Sequence, residues 1–156
     1  MAVSVFLDTS VLIGGLIDLG PQSASAQTVM HAVAAREVAG AGTAWHCCLE
    51  FYSVSTRLPP EYRLSPADAS QLLEEEVFGR MNVFELPSGE RVSFLRSAAQ
   101  ERIAGGRVYD AHIAEVARSA GARVIVTDNC RHFVAALRHG IRVETPAEFV
   151  AGIRKK

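Results

Sequence analysis

Val3-Ser4-Val5-Phe6-Leu7-Asp8-Thr9-Ser10-Val11-Leu12-Ile13 begins as a short apolar run with β-branched residues, meets an acid and two hydroxyl residues, and continues as an apolar segment. The pattern predicts a buried parallel strand ending at Asp8 and a helix starting at once. Ligands of open α/β sheets sit outside the carboxyl ends of the strands, so Asp8 stands where chemistry is commonly done. The plainer role for an acid at this point is the N-cap of the helix. The choice turns on whether other acids reach the same place.

The first helix is expected to run to about Leu19, where Gly20-Pro21 breaks it. A second helix over about Ala24 to Ala39 carries Val29, Met30, Val33 and Ala34 at helical spacing, and Gly40-Ala41-Gly42 ends it. Thr43 to His46 reads as a short strand. The next helix holds Leu49, Glu50, Phe51, Val54 and Leu58 and stops at Pro59-Pro60, with Glu50 in its first turn, where the macrodipole alone would favour an acid. Ser65-Pro66-Ala67-Asp68 is a helix start, with cap, proline and acid in the favoured order, and that helix runs to about Phe78. Asn82 to Leu86 is a third strand. A helix from about Glu90 to Ile103 is expected to turn Val92, Leu95, Ala99 and Ile103 toward the core.

Beyond Gly105-Gly106, the segment Val108 to Ala117 is a helix with Asp110 in its opening turn. Ile113, Val116 and Ala117 form its apolar stripe, and His112 and Glu115 are expected at the surface. Gly121 closes it, and Arg123-Val124-Ile125-Val126-Thr127 is the strongest strand pattern in the chain, running straight into Asp128-Asn129. A helix from about Cys130 to Arg138, a strand Ile141 to Glu144, and a short helix opened by the capping box Thr145-Pro146-Ala147-Glu148 complete the chain. Strands alternating with helices give an α/β fold: one domain over residues 1–150, a mainly parallel central sheet flanked by helices, and a frayed tail over 151–156.

Composition narrows the classes. With 156 residues and 49% of them hydrophobic, the chain has enough apolar material for one real core and is far from disordered composition. No run approaches a membrane span, and no basic region precedes the first apolar stretch, so neither a membrane helix nor a signal peptide is expected and the cytoplasm is the expected compartment. An odd count of three cysteines, Cys47, Cys48 and Cys130, then argues for reduced thiols. The formal net charge of −1 supplies no global basic field, so a polyanion would need a local patch or a bound metal.

Asp8, Glu50, Asp110 and the pair Asp128-Asn129 each follow a strand or open a helix beside apolar residues. Isolated carboxylates there are costly, and several together repel one another unless a cation neutralises them. Oxygen ligands from Asp, Glu and Asn suit Mg²⁺ or Mn²⁺, which can activate water and stabilise charge on a phosphodiester.

These residues also carry a resemblance. Phe6-Leu7-Asp8-Thr9-Ser10, the helix from Glu50 through Thr56-Arg57-Leu58-Pro59, Asp110-Ala111-His112-Ile113-Ala114 and Thr127-Asp128-Asn129-Cys130-Arg131-His132-Phe133 fall in order over about Val3 to Phe149. In this the chain resembles PIN-domain ribonucleases, most closely the VapC-type toxins of toxin–antitoxin pairs. The resemblance implies a homodimeric endoribonuclease dependent on Mg²⁺ or Mn²⁺, acting on RNA and blocked by a cognate antitoxin. It carries over Asp8, Glu50 and Asp110 as metal-binding acids, and Thr9, Ser10 and Thr127 as hydroxyls that orient ligands or water. The fourth catalytic position maps by spacing to Asn129, with Asp128 beside it as a supporting or substitute ligand. Adjacent side chains on an extended strand point to opposite faces, so one of the two is expected to reach the metal directly. Arg57, Arg107 and Arg131 are candidates for positioning the RNA backbone.

Three rival readings remain at this stage. One is a zinc site from His46, Cys47, Cys48, Cys130 and His132, whose types suit zinc but whose spacing lacks a paired C-x-x-C. Another is phosphoryl transfer at Asp8, although the second Asp that a dehalogenase-like phosphatase places two residues on is here Ser10. The last is a non-catalytic PIN-like module that binds RNA or protein.

Overall fold

A computed structural model describes residues 3–155. Its centre is a five-stranded sheet in the order β3-β2-β1-β4-β5, with every neighbouring pair parallel. The strands are β1 Val5–Leu7, β2 Ala41–Ala44, β3 Asn82–Phe84, β4 Val124–Val126 and β5 Arg142–Glu144. Every residue of β1, β2 and β4 is buried, which is why these segments read as unbroken apolar or small-residue runs. The edge strands β3 and β5 carry Asn82, Arg142 and Glu144 and are partly exposed.

The helices are α1 Thr9–Leu16, α2 Ala24–Ala34, α3 Trp45–Ser55, α4 Pro66–Leu72, α5 Arg91–Gln100, α6 Arg107–Ser119, α7 Val134–Leu137 and α8 Pro146–Arg154. No helix among the described residues is long and apolar enough to cross a membrane. Lys156, in the tail expected to fray, lies outside the described residues.

Chain direction on the sheet reverses at β1: β2 and β3 lie on one side, β4 and β5 on the other. The crevice beyond the carboxyl ends of β1 and β4 is the switch point where such sheets bind ligands.

The expected single α/β domain with a parallel sheet is the fold found; the differences lie at element boundaries. Helix α2 ends at Ala34 and not Ala39, because Arg36 adopts φ 60° and closes it: the Glu37 amide donates to the Ala32 carbonyl and the Arg36 amide to that of Val33. The second strand begins at Ala41, two residues early, and Trp45 and His46 belong to α3. Gly42 therefore serves a strand and not a helix end. A Cβ there would meet the Phe84 ring at 3.0 Å and the Val3 side chain at 3.1 Å. Glycine is what lets β2 sit this close to its neighbours. With α3 starting early, Glu50 falls in its second turn, and no acid occupies the first.

Helix α4 starts as expected, the Ser65 hydroxyl accepting from the Asp68 amide at 3.0 Å, and continues as a π-helical turn over Leu73–Phe78. In α5 the expected core stripe is wrong. Val92 and Leu95 are 61% and 62% exposed, and Ala98 is the buried residue, with Phe94 packed partly against the core. Phe94 and Ala98 form a second stripe at i, i+4 on the same helix, and it is this one that meets the rest of the domain. His112 is half-buried, not a surface group, and packs edge-on against His46 and Phe94.

Gly42→Val should lower stability by about 2 kcal/mol, the cost of overpacking a closed contact, read as a drop in the urea midpoint at unchanged m-value.

Candidate active site at the sheet switch point

The register of β1 against β4 pairs Leu7 with Val126, and the Asp8 amide extends that ladder by donating to the Val126 carbonyl at 3.1 Å. Asp8 and Thr127 thus leave the sheet side by side. Asp8 occupies the N-cap position of α1, yet its side chain makes no capping hydrogen bond. Its Oδ2 accepts instead from the Thr127 hydroxyl at 2.7 Å and the Ser10 hydroxyl at 3.2 Å. Both hydroxyls are supplied in turn by backbone amides, Asn129 N donating to Thr127 Oγ1 at 3.0 Å and Asp128 N to Ser10 Oγ at 3.1 Å. Each hydroxyl, already accepting, is set to donate, so the network presents Asp8 with donors only. Such charge-assisted bonds are the strong ones.

Asp8, Thr9, Ser10, Glu50, Asp110, Asp128 and Asn129 line one cavity of about 390 Å³. Ile13, Gly14, Leu19, Gln22, Ser23 and Val54, which the sequence did not single out, complete its wall. Four carboxylates face this space, and among the described residues no Lys or Arg lines it. The repulsion is visible in the acids themselves: burial, opposed by His132 and reinforced by the charge of Asp8, holds Asp110 above the ordinary carboxyl value, and burial with the same Asp8 charge does so for Asp128.

Thr9 Oγ1 is buried with no hydrogen-bond partner. Asp128 and Asn129 both reach the cavity, contrary to the expected alternation. The reason is that β4 ends at Val126 and the chain bends, with Asn129 at φ −112°, ψ 52°, so strand periodicity no longer applies. Arg57, Arg107 and Arg131 are exposed and none of them lines the cavity.

Two histidines attend the acids. His46 Nε2 lies 2.5 Å from Glu50 Oε1, one helical turn away, without the alignment of a hydrogen bond. His132 Nδ1 lies 3.4 Å from Asp110 Oδ2. The i, i+4 spacing of His46 and Glu50 was readable in the sequence; the approach of His132 to Asp110, from a different segment, was not. Among the described residues no three acidic, histidine or cysteine side chains are already gathered around one point. The donor chemistry nevertheless fits a hard divalent cation: all oxygen, an excess of negative charge, an unsatisfied hydroxyl in the wall and, among the described residues, no competing Lys or Arg lining the space.

The zinc alternative fits poorly. Cys47 and Cys48 are buried, and burial, joined at Cys47 by the Asp8 charge, pushes their thiols up to about 12 and about 11. A zinc ligand needs the opposite, a readily formed thiolate.

The model of the PIN domain family matches residues 4–131. Ribonuclease VapC27 of Mycobacterium tuberculosis is 38% identical over 123 residues, covering 78% of this chain and 82% of that protein. Ribonuclease VapC40 of the same organism is 31% identical over 83 residues, or 53% of this chain and 60% of that one. Among solved structures, PAE2754 from Pyrobaculum aerophilum superposes with a TM-score of 0.64 at 22% identity, covering 100% of this chain and 98% of its own. DNA-bound VapBC from Salmonella typhimurium gives 0.63 at 19% identity, covering 92% and 98%.

A raised pKa in the folded state means that, just above the ordinary 3.8, the folded protein holds more protons than the unfolded chain. Stability therefore falls as pH rises through that window. Solvent screens Asp128 more, since it is exposed at the rim. Asp110→Asn should raise the melting temperature of the metal-free protein at pH 7, with the gain shrinking toward pH 4; thermal melts at the two pH values check this.

Proposed function

The chain belongs to the PIN-domain family, of the VapC type, and on that premise we propose that it is an endoribonuclease that hydrolyses RNA phosphodiester bonds with Mg²⁺ or Mn²⁺ and serves as the toxin of a type II toxin–antitoxin pair. The observation that carries the reading is the set of four carboxylates, drawn from four distant segments, around one cavity that no Lys or Arg among the described residues lines. Relatives named as ribonucleases support the reaction class.

In this reading Asp8, Glu50 and Asp110 hold the ion, and Asn129 supplies a neutral oxygen at the fourth position with Asp128 beside it. The ion, when bound, supplies positive charge and Lewis acidity to an in-line displacement at phosphorus. The chain's own part is largely preorganisation. Thr127 and Ser10 fix Asp8 through Oδ2, and the Asp128 and Asn129 amides fix those hydroxyls. Glu50 and Asp110, which rest against His46 and His132, would complete the set of acids with Asp8 when the ion is held. Ile13 and Val54 give one apolar wall. Arg57, Arg107 and Arg131, outside the cavity, contact backbone phosphates of a single-stranded region.

The same reading includes a cognate antitoxin that covers the cavity, a homodimeric state and a cytoplasmic site of action. DNA-bound VapBC and DNA-bound FitAB, both similar in fold, support a two-component assembly.

Purified protein should cleave RNA with Mg²⁺ or Mn²⁺ and stop with EDTA. Asp8→Asn or Asp110→Asn should slow cleavage roughly a thousandfold, about 4 kcal/mol of barrier, with the circular dichroism spectrum retained. Undiminished cleavage in either variant removes that residue from the site, and indifference to EDTA removes the ion.

A further inference from the structure

We propose that the stacked rings of Tyr109 and His46 form a nucleobase platform that holds the base beside the scissile phosphate of a single-stranded RNA and favours purines; the inference rests on the ribonuclease reading above. The ring centroids are 5.2 Å apart and the planes are inclined by only 14°. Both residues stand next to groups that line the cavity, though neither lines it. His46 touches Glu50, and Tyr109 directly precedes Asp110 on α6. The platform therefore bridges α3 and α6, the two helices that carry those two carboxylates.

The stack is braced from behind. His112 meets His46 edge-on, with centroids 5.7 Å apart and planes at 85°, and Phe94 meets His112 at 5.8 Å and 64°. The column runs from half-buried Phe94, His112 and His46 out to Tyr109, which is 55% exposed. The half-buried rings behind it hold Tyr109 in a fixed plane, so ordering it costs little when a flat ligand lands on it.

Charge favours the same occupant. Among the described residues no Lys or Arg lines the cavity, so contacts indifferent to charge add affinity that the ion and the outlying arginines do not supply. Base–aromatic stacking is such a contact, sequence-tolerant apart from differences in stacking strength. The larger face of a purine overlaps the exposed Tyr109 ring more than a pyrimidine does.

The test uses full-length Asp8→Asn protein with Mg²⁺ and single-stranded RNA 10-mers carrying one central 2-aminopurine, whose fluorescence falls on stacking. Quenching is expected. Adding Tyr109→Ala should weaken binding roughly 5- to 150-fold, the fold-change of about 1–3 kcal/mol, whereas Tyr109→Phe, which keeps the ring, binds like the parent. If the alanine variant does not fold, Tyr109→Leu keeps the apolar bulk without the aromatic face. Equal quenching with and without the ring, or none with any 10-mer, overturns the proposal. So does unchanged quenching with a Tyr109→Ala shift in the monomer–dimer equilibrium by sedimentation, which assigns the ring to a protein contact. Ring-dependent quenching in a protein that cleaves no RNA would leave the platform standing and remove the hydrolytic reading. Cleavage that needs Asp8 but is indifferent to the ring would do the reverse.

Discussion

The pairing of β1 with β4 is the constraint on which the site depends. Parallel strands leave a sheet at the same edge, and the Leu7–Val126 register sets Asp8 and Thr127 abreast there. The 2.7 Å bond between their side chains joins residues 119 positions apart. A one-residue slip in that register would exchange the two faces of one strand relative to the other and part Asp8 from Thr127. The apolar packing of Phe6, Leu7, Ile125 and Val126, all fully buried, therefore holds the geometry of a polar site.

The site is electrostatically unfavourable by itself. Asp8 is buried, and its charge raises the pKa of Asp110 and Asp128 in addition to what burial does. Hydrogen bonds through Thr127 and Ser10 relieve Asp8 alone. Glu50 and Asp110 rest against histidines. Repulsion of this kind persists in a fold when the surrounding structure over-determines it, and it clusters where function requires it.

The outer face shows how far periodicity can mislead. Helix α5 carries two stripes at helical spacing, Val92-Leu95-Ala99 and Phe94-Ala98, and the sequence holds no information about which one α6 covers. Trp45, Leu49 and Phe78 are likewise apolar and exposed, beside helix and strand surfaces that are otherwise well packed.

Local chemistry was legible in the residues. The apolar runs set β1 and β4, Ser65-Pro66 and Thr145-Pro146 set helix starts, and acids at strand ends marked Asp8, Glu50, Asp110 and Asp128 as candidates. Their spacing in the chain also carried the family resemblance. Strand β2 was misplaced because Gly42 looks like a helix stop until Phe84 and Val3 are seen to need the space. That Asp128 and Asn129 share a cavity, that Asp8 ignores its capping role, and that His132 reaches Asp110 were decided by tertiary structure. Sequence patterns report on turns, caps and faces because those are interactions within a few residues. Which faces meet, and which distant carboxylates then confront one another, is set by sheet order and packing, quantities that belong to the whole chain.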